Sequence, residues 1–242
     1  MAWLKPPPPS TDASIRFDLS GNVLSAEAKA SIPTSAGLHH HGTSPDLAGY
    51  TLEDVLWLSR STVPSQQITM LGVLARILGD YAAGRSNDDT RRLIEESAAK
   101  QKGVEMAVDI LLTRTRAVGI IRAGVDLLYE ALGGRTWEWL DADVSSQYRP
   151  DPDTAGFDHI RFDELAAQIK ELLGRSSPLP PASIYQLIQV LRRAMYHSQD
   201  TAEAITPLVP AVIEAKVLAK SWPVDPSALP SLAALSLLRE SI

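Results

Sequence analysis

The chain has 242 residues, a net charge of −6 and no cysteine. The missing thiols exclude disulfides, thiolate metal sites and cysteine nucleophiles together. An acidic surface repels phosphate backbones, which disfavours direct nucleic-acid binding, and no run approaches the ~20 apolar residues that cross a bilayer.

Residues 1–14 form a proline-rich lead-in: Pro6–Pro9 favour an extended polyproline chain. Residues 15–50 are expected to pack on a helical domain. Within them Ile15-Arg16-Phe17-Asp18 and Val23-Leu24 flank a Ser-Gly-Asn turn, which predicts a short β-hairpin. Ile15, Phe17 and Val23 would lean on the helices, because a lone hairpin is marginal in water. Pro33, Gly37, Gly42, Pro45 and Gly49 then predict a long ordered loop.

Residues 51–242 read as helix after helix. Thr51 is a cap, with Glu53 and Asp54 in the first turn facing the positive helix end. Leu52, Val55, Leu56 and Ser59 share one face. Pro64 opens a second helix, which Gly84 stops. Asn87 or Asp88 caps a third, running to Lys102 with an interruption expected at Gly103. Val118, Ile121, Val125, Leu128 and Leu132 give the clearest period, and Ile120, Leu127 and Ala131 widen that face, as in a helix buried on two sides. Gly133-Gly134 ends it, and a long acidic connector follows. Phe162–Leu173, Ile184–Met195, a segment capped by Thr201 and broken by Pro207 and Pro210, and a last run through Leu232–Leu238 complete the series. The predicted fold class is all-α: an array of antiparallel helix pairs like HEAT or armadillo repeats, with a short amino-terminal hairpin and a long loop.

Catalytic motifs are missing from the sequence. Gly79 to Ser86 approaches a phosphate loop, but arginine replaces its lysine and no strand precedes it. There is no dinucleotide fingerprint, no nucleophile elbow and no His-Glu-x-x-His. His39, His40 and His41 are the one cluster of candidate metal ligands. Neighbours in an extended chain point to opposite sides, so at most His39 and His41 could share an ion. The plainer readings are that the imidazoles pin the loop by bonding its carbonyls, or that the loop contacts a partner. Tyr50 reads as core packing or as a staple onto the helix. Arg60 reads as paired with Asp18 or Glu53, or as an interface anchor. Trp137 and Trp139 either pack on the array or anchor a partner.

Ile15-Arg16-Phe17-Asp18-Leu19-Ser20-Gly21, Gly37-Leu38-His39-His40-His41-Gly42, Pro45, Ala48-Gly49-Tyr50-Thr51-Leu52, Leu58-Ser59-Arg60-Ser61, Ser65-Gln66 and Leu74-Ala75-Arg76-Ile77-Leu78 together resemble the C-terminal region of the RNA polymerase II-associated protein 1 family, in its fungal form. The resemblance covers about residues 15–80. Gln67 departs from it, since the family usually has arginine there. It implies a non-enzymatic adaptor in RNA polymerase II biogenesis, with polymerase subunits as partners. Among these the third-largest, α-like subunit is expected, with GPN-loop GTPases acting alongside in assembly and nuclear import. It also implies that the chain is a C-terminal piece of a longer protein, found in cytoplasm and nucleus. The residues expected to bind the partner or organise the motif are Arg16, Phe17, Asp18, Leu38, His39, His40, His41, Tyr50, Ser59, Arg60 and Gln66, with Trp137 and Trp139 as further anchors. No catalytic residue, metal or cofactor is expected. The alternatives are a helical scaffold or transport adaptor for another cargo and, more remotely, a histidine-dependent metal enzyme.

Overall fold

The computed structural model describes residues 14–31, 47–113, 117–134, 156–158, 160–174 and 179–214. The proline-rich lead-in to residue 13, the loop carrying Leu38 and His39–His41, Trp137 and Trp139, and the run through Leu232–Leu238 lie outside the described residues. What is described is mostly helical, with one small sheet.

That sheet differs from the predicted hairpin. Strand β1 (Arg16–Phe17) pairs antiparallel with β2 (Tyr50–Thr51), Arg16 opposite Thr51 and Phe17 opposite Tyr50. The sequence-adjacent pairing shrinks to one bridge, Phe17 with Val23. The reason is local. Asp18 Oδ1 accepts from the backbone amides of Ser20 and Asn22 at 2.7 and 2.9 Å. This turn, made by the aspartate's own side chain, ends the pairing at once. Phe17 is buried, while Val23 points outward at 44% exposure rather than onto the helices. Helix α1 (Ala26–Ser31), which no periodicity foretells, fills the space after the turn; Ser25 Oγ accepts from the Ala28 amide at 3.2 Å.

Helix α2 (Leu52–Leu58) starts from Thr51 as expected, and α3 (Pro64–Ala82) starts at its proline. Asn87 caps α4 (Asp88–Glu96), its side chain accepting from the Thr90 amide. The expected break at Gly103 falls earlier, at Ala98, whose φ is +51°. Gly103 lies inside α5 (Ala99–Thr113), where a Cβ would come within 2.8 Å of Leu78 Cδ1. There the glycine serves helix contact and not helix ending. Helices α6 (Val118–Ala131), α7 (Phe162–Leu173) and α8 (Pro181–Ala194) follow the predicted spacing. Ser198, not Thr201, caps α9 (Gln199–Ile205): its Oγ accepts from the Thr201 amide, and Thr201 is buried in the first turn. Pro207 falls in a 3-10 turn (Thr206–Leu208) before the short α10 (Val209–Ile213).

The core explains the order of the layers. Helix α6 buries Ile120, Ile121, Val125, Leu127, Leu128 and Ala131, and it is covered by α3, α5 and α8. Each of the isoleucine, valine and leucine side chains contributes roughly 1.5–3 kcal/mol on burial. Helix α7 extends the core by packing on α5 and on α9. The helices come close because glycines face them: at Gly79 a Cβ would collide with the Glu130 carboxylate, and at Gly124 it would lie 2.8 Å from Ile110 Cγ2. At the far end Arg193 of α8 donates to the carbonyls of Leu132 and Gly134 and lies over the Tyr129 ring, which ties α8 to the end of α6. A three-sided cover of α6 is not by itself a HEAT or armadillo stack, so the repeat register goes beyond what this architecture establishes.

Two helical glycines, one crowded and one with open space around its Cα, should therefore respond oppositely. Gly124→Val should lower the free energy of unfolding by about 1–3 kcal/mol through overpacking. Gly72→Ala, whose Cβ would meet nothing within 4 Å, should raise it by roughly 0.5–1 kcal/mol. Urea denaturation of the two variants measures both.

Candidate functional site

The amino-terminal segment forms a cap on α2 and α3, and the cap is built around one side chain. Arg16 is 2% exposed. A guanidinium removed from water needs acceptors, and Nη1 donates to the carbonyls of Leu47 at 3.3 Å and Gly49 at 3.0 Å. Those carbonyls belong to the chain that enters β2, so the arginine locks the two halves of the sheet from beneath. Gly49 makes the approach possible. Its φ is +91°, and a Cβ there would lie 2.5 Å from Leu24 Cδ1 and 3.1 Å from Arg16 Cβ, which no other residue could tolerate.

The Asp18 turn then rests on α3. Arg76 of α3 donates to the Leu19 carbonyl at 2.9 Å, and Gly21, with φ +81°, sits so close that a Cβ would be 3.0 Å from Arg76 Cβ. Lys29 Nζ reaches the Ser14 carbonyl, and the Lys29 carbonyl accepts from the Ala48 amide at 3.1 Å. Phe17 and Tyr50 pack into the common core. Tyr50 therefore takes the core reading. Burial, and secondly the Asp54 carboxylate, push its phenol above the ordinary value of 10.0.

Helix α2 is held at both ends. At its start Thr51 Oγ1 accepts from the Asp54 amide at 3.1 Å while Asp54 Oδ2 accepts from the Thr51 amide at 3.0 Å, a reciprocal cap worth about 1 kcal/mol. At its end the fully buried Ser59 hydroxyl donates back to the Val55 carbonyl at 2.7 Å. Beyond it Ser61 Oγ donates to Gln66 Oε1 and accepts from the Val63 amide at 3.1 Å, shaping the turn into α3. Arg60 is exposed in that turn and makes no ion pair with Asp18 or Glu53.

Two concavities flank α2. The larger, about 880 Å³, has Ile15, Leu56, Trp57, Arg60, Leu93 and Lys102 among its lining residues. The smaller, about 430 Å³, is lined by Ser59, Arg60, Gln67, Glu105, Met106 and Asp109 with Ile110. Arg60 belongs to both. Gln67 is buried, and a cation in its place would share the smaller concavity with Glu105 and Asp109. The structure thus brings together Arg16, Phe17, Asp18 and Tyr50 in the cap and Ser59, Arg60 and Gln66 at the turn after α2. Leu38, His39, His40, His41, Trp137 and Trp139 fall outside the described residues. Sequence reasoning missed Trp57, which is 75% exposed. Its phase gives it away: Leu52, Val55 and Ser59 mark the buried side, and a residue two places after Val55 points opposite to it. Among the described residues no group of histidines and carboxylates is placed to hold a metal ion, and no helix is long and apolar enough to cross a membrane.

Fold and site define a helical domain whose amino-terminal cap presents a fixed surface. The comparisons show what that cap resembles. Residues 14–82 match the family model described as RPAP1-like, C-terminal, a stretch that begins with the cap and ends on the last residue of α3. That stretch of the chain is similar to the C-terminal region of the RNA polymerase II-associated protein 1 family, as its motifs indicate. It is 36% identical over 95 residues to the RNA polymerase II-associated protein RBA50 of Saccharomyces cerevisiae, covering 36% of this chain and 21% of that protein. With RNA polymerase II-associated protein 1 of Bos taurus it shares 41% identity over 73 residues, 30% of this chain and 5% of the other. The likeness to RNA polymerase II-associated protein 1 of Homo sapiens is lower, 26%, but runs over 259 aligned positions, 90% of this chain and 18% of that one. The chain spans about a fifth or less of the length of the curated relatives it matches. No solved structure matches it significantly.

Removing the buried arginine tests the cap. Arg16→Met keeps the bulk but leaves the Leu47 and Gly49 carbonyls without this donor, and should cost about 1.5–3 kcal/mol. Hydrogen exchange should speed up across residues 47–51 while protection of α6 is unchanged; equal loss in both would show that the cap is not a separate unit. Tyr50 gives a second readout. An acid whose folded-state value is raised adds stability that is complete below its unfolded value near 10 and is lost as pH rises through the folded one. In an alkaline absorbance titration the phenol step that is missing from Tyr50→Phe should fall above pH 10, and the variant's stability should fall less steeply there.

Proposed function

We propose that this chain is a non-enzymatic adaptor in RNA polymerase II biogenesis. It binds a polymerase subunit, the third-largest, α-like one, and supports assembly of the enzyme and its import into the nucleus, passing between cytoplasm and nucleus with GPN-loop GTPases as companions. The observation that carries this reading is the coincidence of the family match with one structural unit: residues 14–82 are the cap with α2 and α3. Names of the relatives associate those proteins with RNA polymerase II. The unit offers a surface held by hydrogen bonds at the Asp18 turn and at both ends of α2, which lowers the ordering cost of binding a partner. The helices behind it, stacked in the manner of a helical-repeat protein, serve as its support.

The isolated α-like subunit should be retained on the immobilised chain, and Arg16→Met should reduce retention several-fold while leaving the α6 core folded. Failure of both this chain and the longer protein to retain any polymerase subunit would overturn the reading.

A further inference from the structure

The side chain of Trp57 is not part of the core. It stands on the side of α2 away from the core, three-quarters exposed, although α2 is fixed at both ends by the Thr51–Asp54 cap and the Ser59 hydroxyl. An indole left wet on a rigid helix is the type of residue that dominates protein interfaces. Its groove has an aliphatic floor, Ile15, Leu56 and Leu93, and two cations, Arg60 and Lys102. Neither cation is in an ion pair among the described residues. Of the two carboxylates in the groove, Asp54 is committed to the helix cap through Oδ2. The lining thus carries two charges of each sign, but neither cation is held by a carboxylate among the described residues, so both are available to carboxylates of an occupant. Past Arg60 the acids prevail, because Glu105 and Asp109 line the smaller concavity.

We propose that the groove beside Trp57 is the docking site for an acidic, apolar peptide segment of the partner: one aromatic or aliphatic side chain laid on Trp57, Leu56 and Leu93, with carboxylates on either side reaching Arg60 and Lys102. The Glu105–Asp109 wall repels those carboxylates and so keeps the segment on the Trp57 side. The proposal rests on the adaptor reading only for which protein carries the segment; the groove's preference is a property of this chain alone.

Selection of short random peptides displayed on phage against the immobilised chain tests it without any polymerase. Enriched peptides should pair an apolar residue with flanking Asp or Glu. Their affinity should fall about tenfold or more in Trp57→Ala and in the Arg60→Glu, Lys102→Glu double variant, and it should weaken with salt. The thermal midpoint of Trp57→Ala should stay unchanged, since the side chain is exposed. Peptides without carboxylates, equal binding to the variants, or no enrichment would each overturn the proposal. So would a chain that selects peptides only after residues 1–13 are removed, because its own lead-in would then be the occupant. If selection succeeds and no polymerase subunit binds, the adaptor reading fails and the groove stands. If a subunit binds wild type and variants alike, the groove fails and the adaptor reading stands.

Discussion

Everything the cap does depends on where the charge of Arg16 is placed. An uncompensated buried cation would unfold a domain of ordinary stability. Here Nη1 donates to the Leu47 and Gly49 carbonyls, so one side chain satisfies part of its own donor set and also the backbone that enters β2. The two-residue strands are far too short to stay paired by their own ladder. The arginine beneath them, Phe17 and Tyr50 in the core and the Asp18 turn against Arg76 hold the sheet in place.

The helical body provides a different sort of constraint. Gly79, Gly103 and Gly124 are positions where side chains of a neighbouring helix occupy the space a Cβ would need. Helices α3, α5 and α6 can thus lie close, and α3 presents a fixed surface to the cap. Stability in the body and shape in the cap are linked through this one helix, whose inner side is core and whose Arg76 receives the turn.

The helices were legible because burial on a helix leaves a period in the sequence. Val118 to Leu132 shows it most plainly, and Thr51, Pro64 and Asn87 mark starts by their chemistry. What could not be read was non-local or unsigned. The partner strand of Arg16–Phe17 is Tyr50–Thr51, more than thirty positions on, and no local alternation records a pairing that distant, so the nearer residues Val23-Leu24 look like the other strand. The break at Ala98 uses an alanine, which normally continues a helix, whereas Gly103, which normally ends one, is buried within α5. Arg16 was singled out by its motif, but its role was hidden because a guanidinium can find carbonyls anywhere. Trp57 was passed over since tryptophan usually reads as core; only its phase against Val55 and Ser59 says otherwise.

The long reach of Arg16 also orders events when the chain is made. Closing a loop of that length costs about 3 kcal/mol of chain entropy, and the sheet alone returns too little to offset it. The residues that dock the turn, Val73 to Ile77 around Gly21 and the donor Arg76, come later still in the sequence. During synthesis from the amino terminus, residues 15–22 therefore leave the ribosome before α3 and must wait for it before they have a place. This stretch is thus made before the helix that completes it, and until α3 arrives its apolar residues, Phe17 foremost, stay available to chaperones.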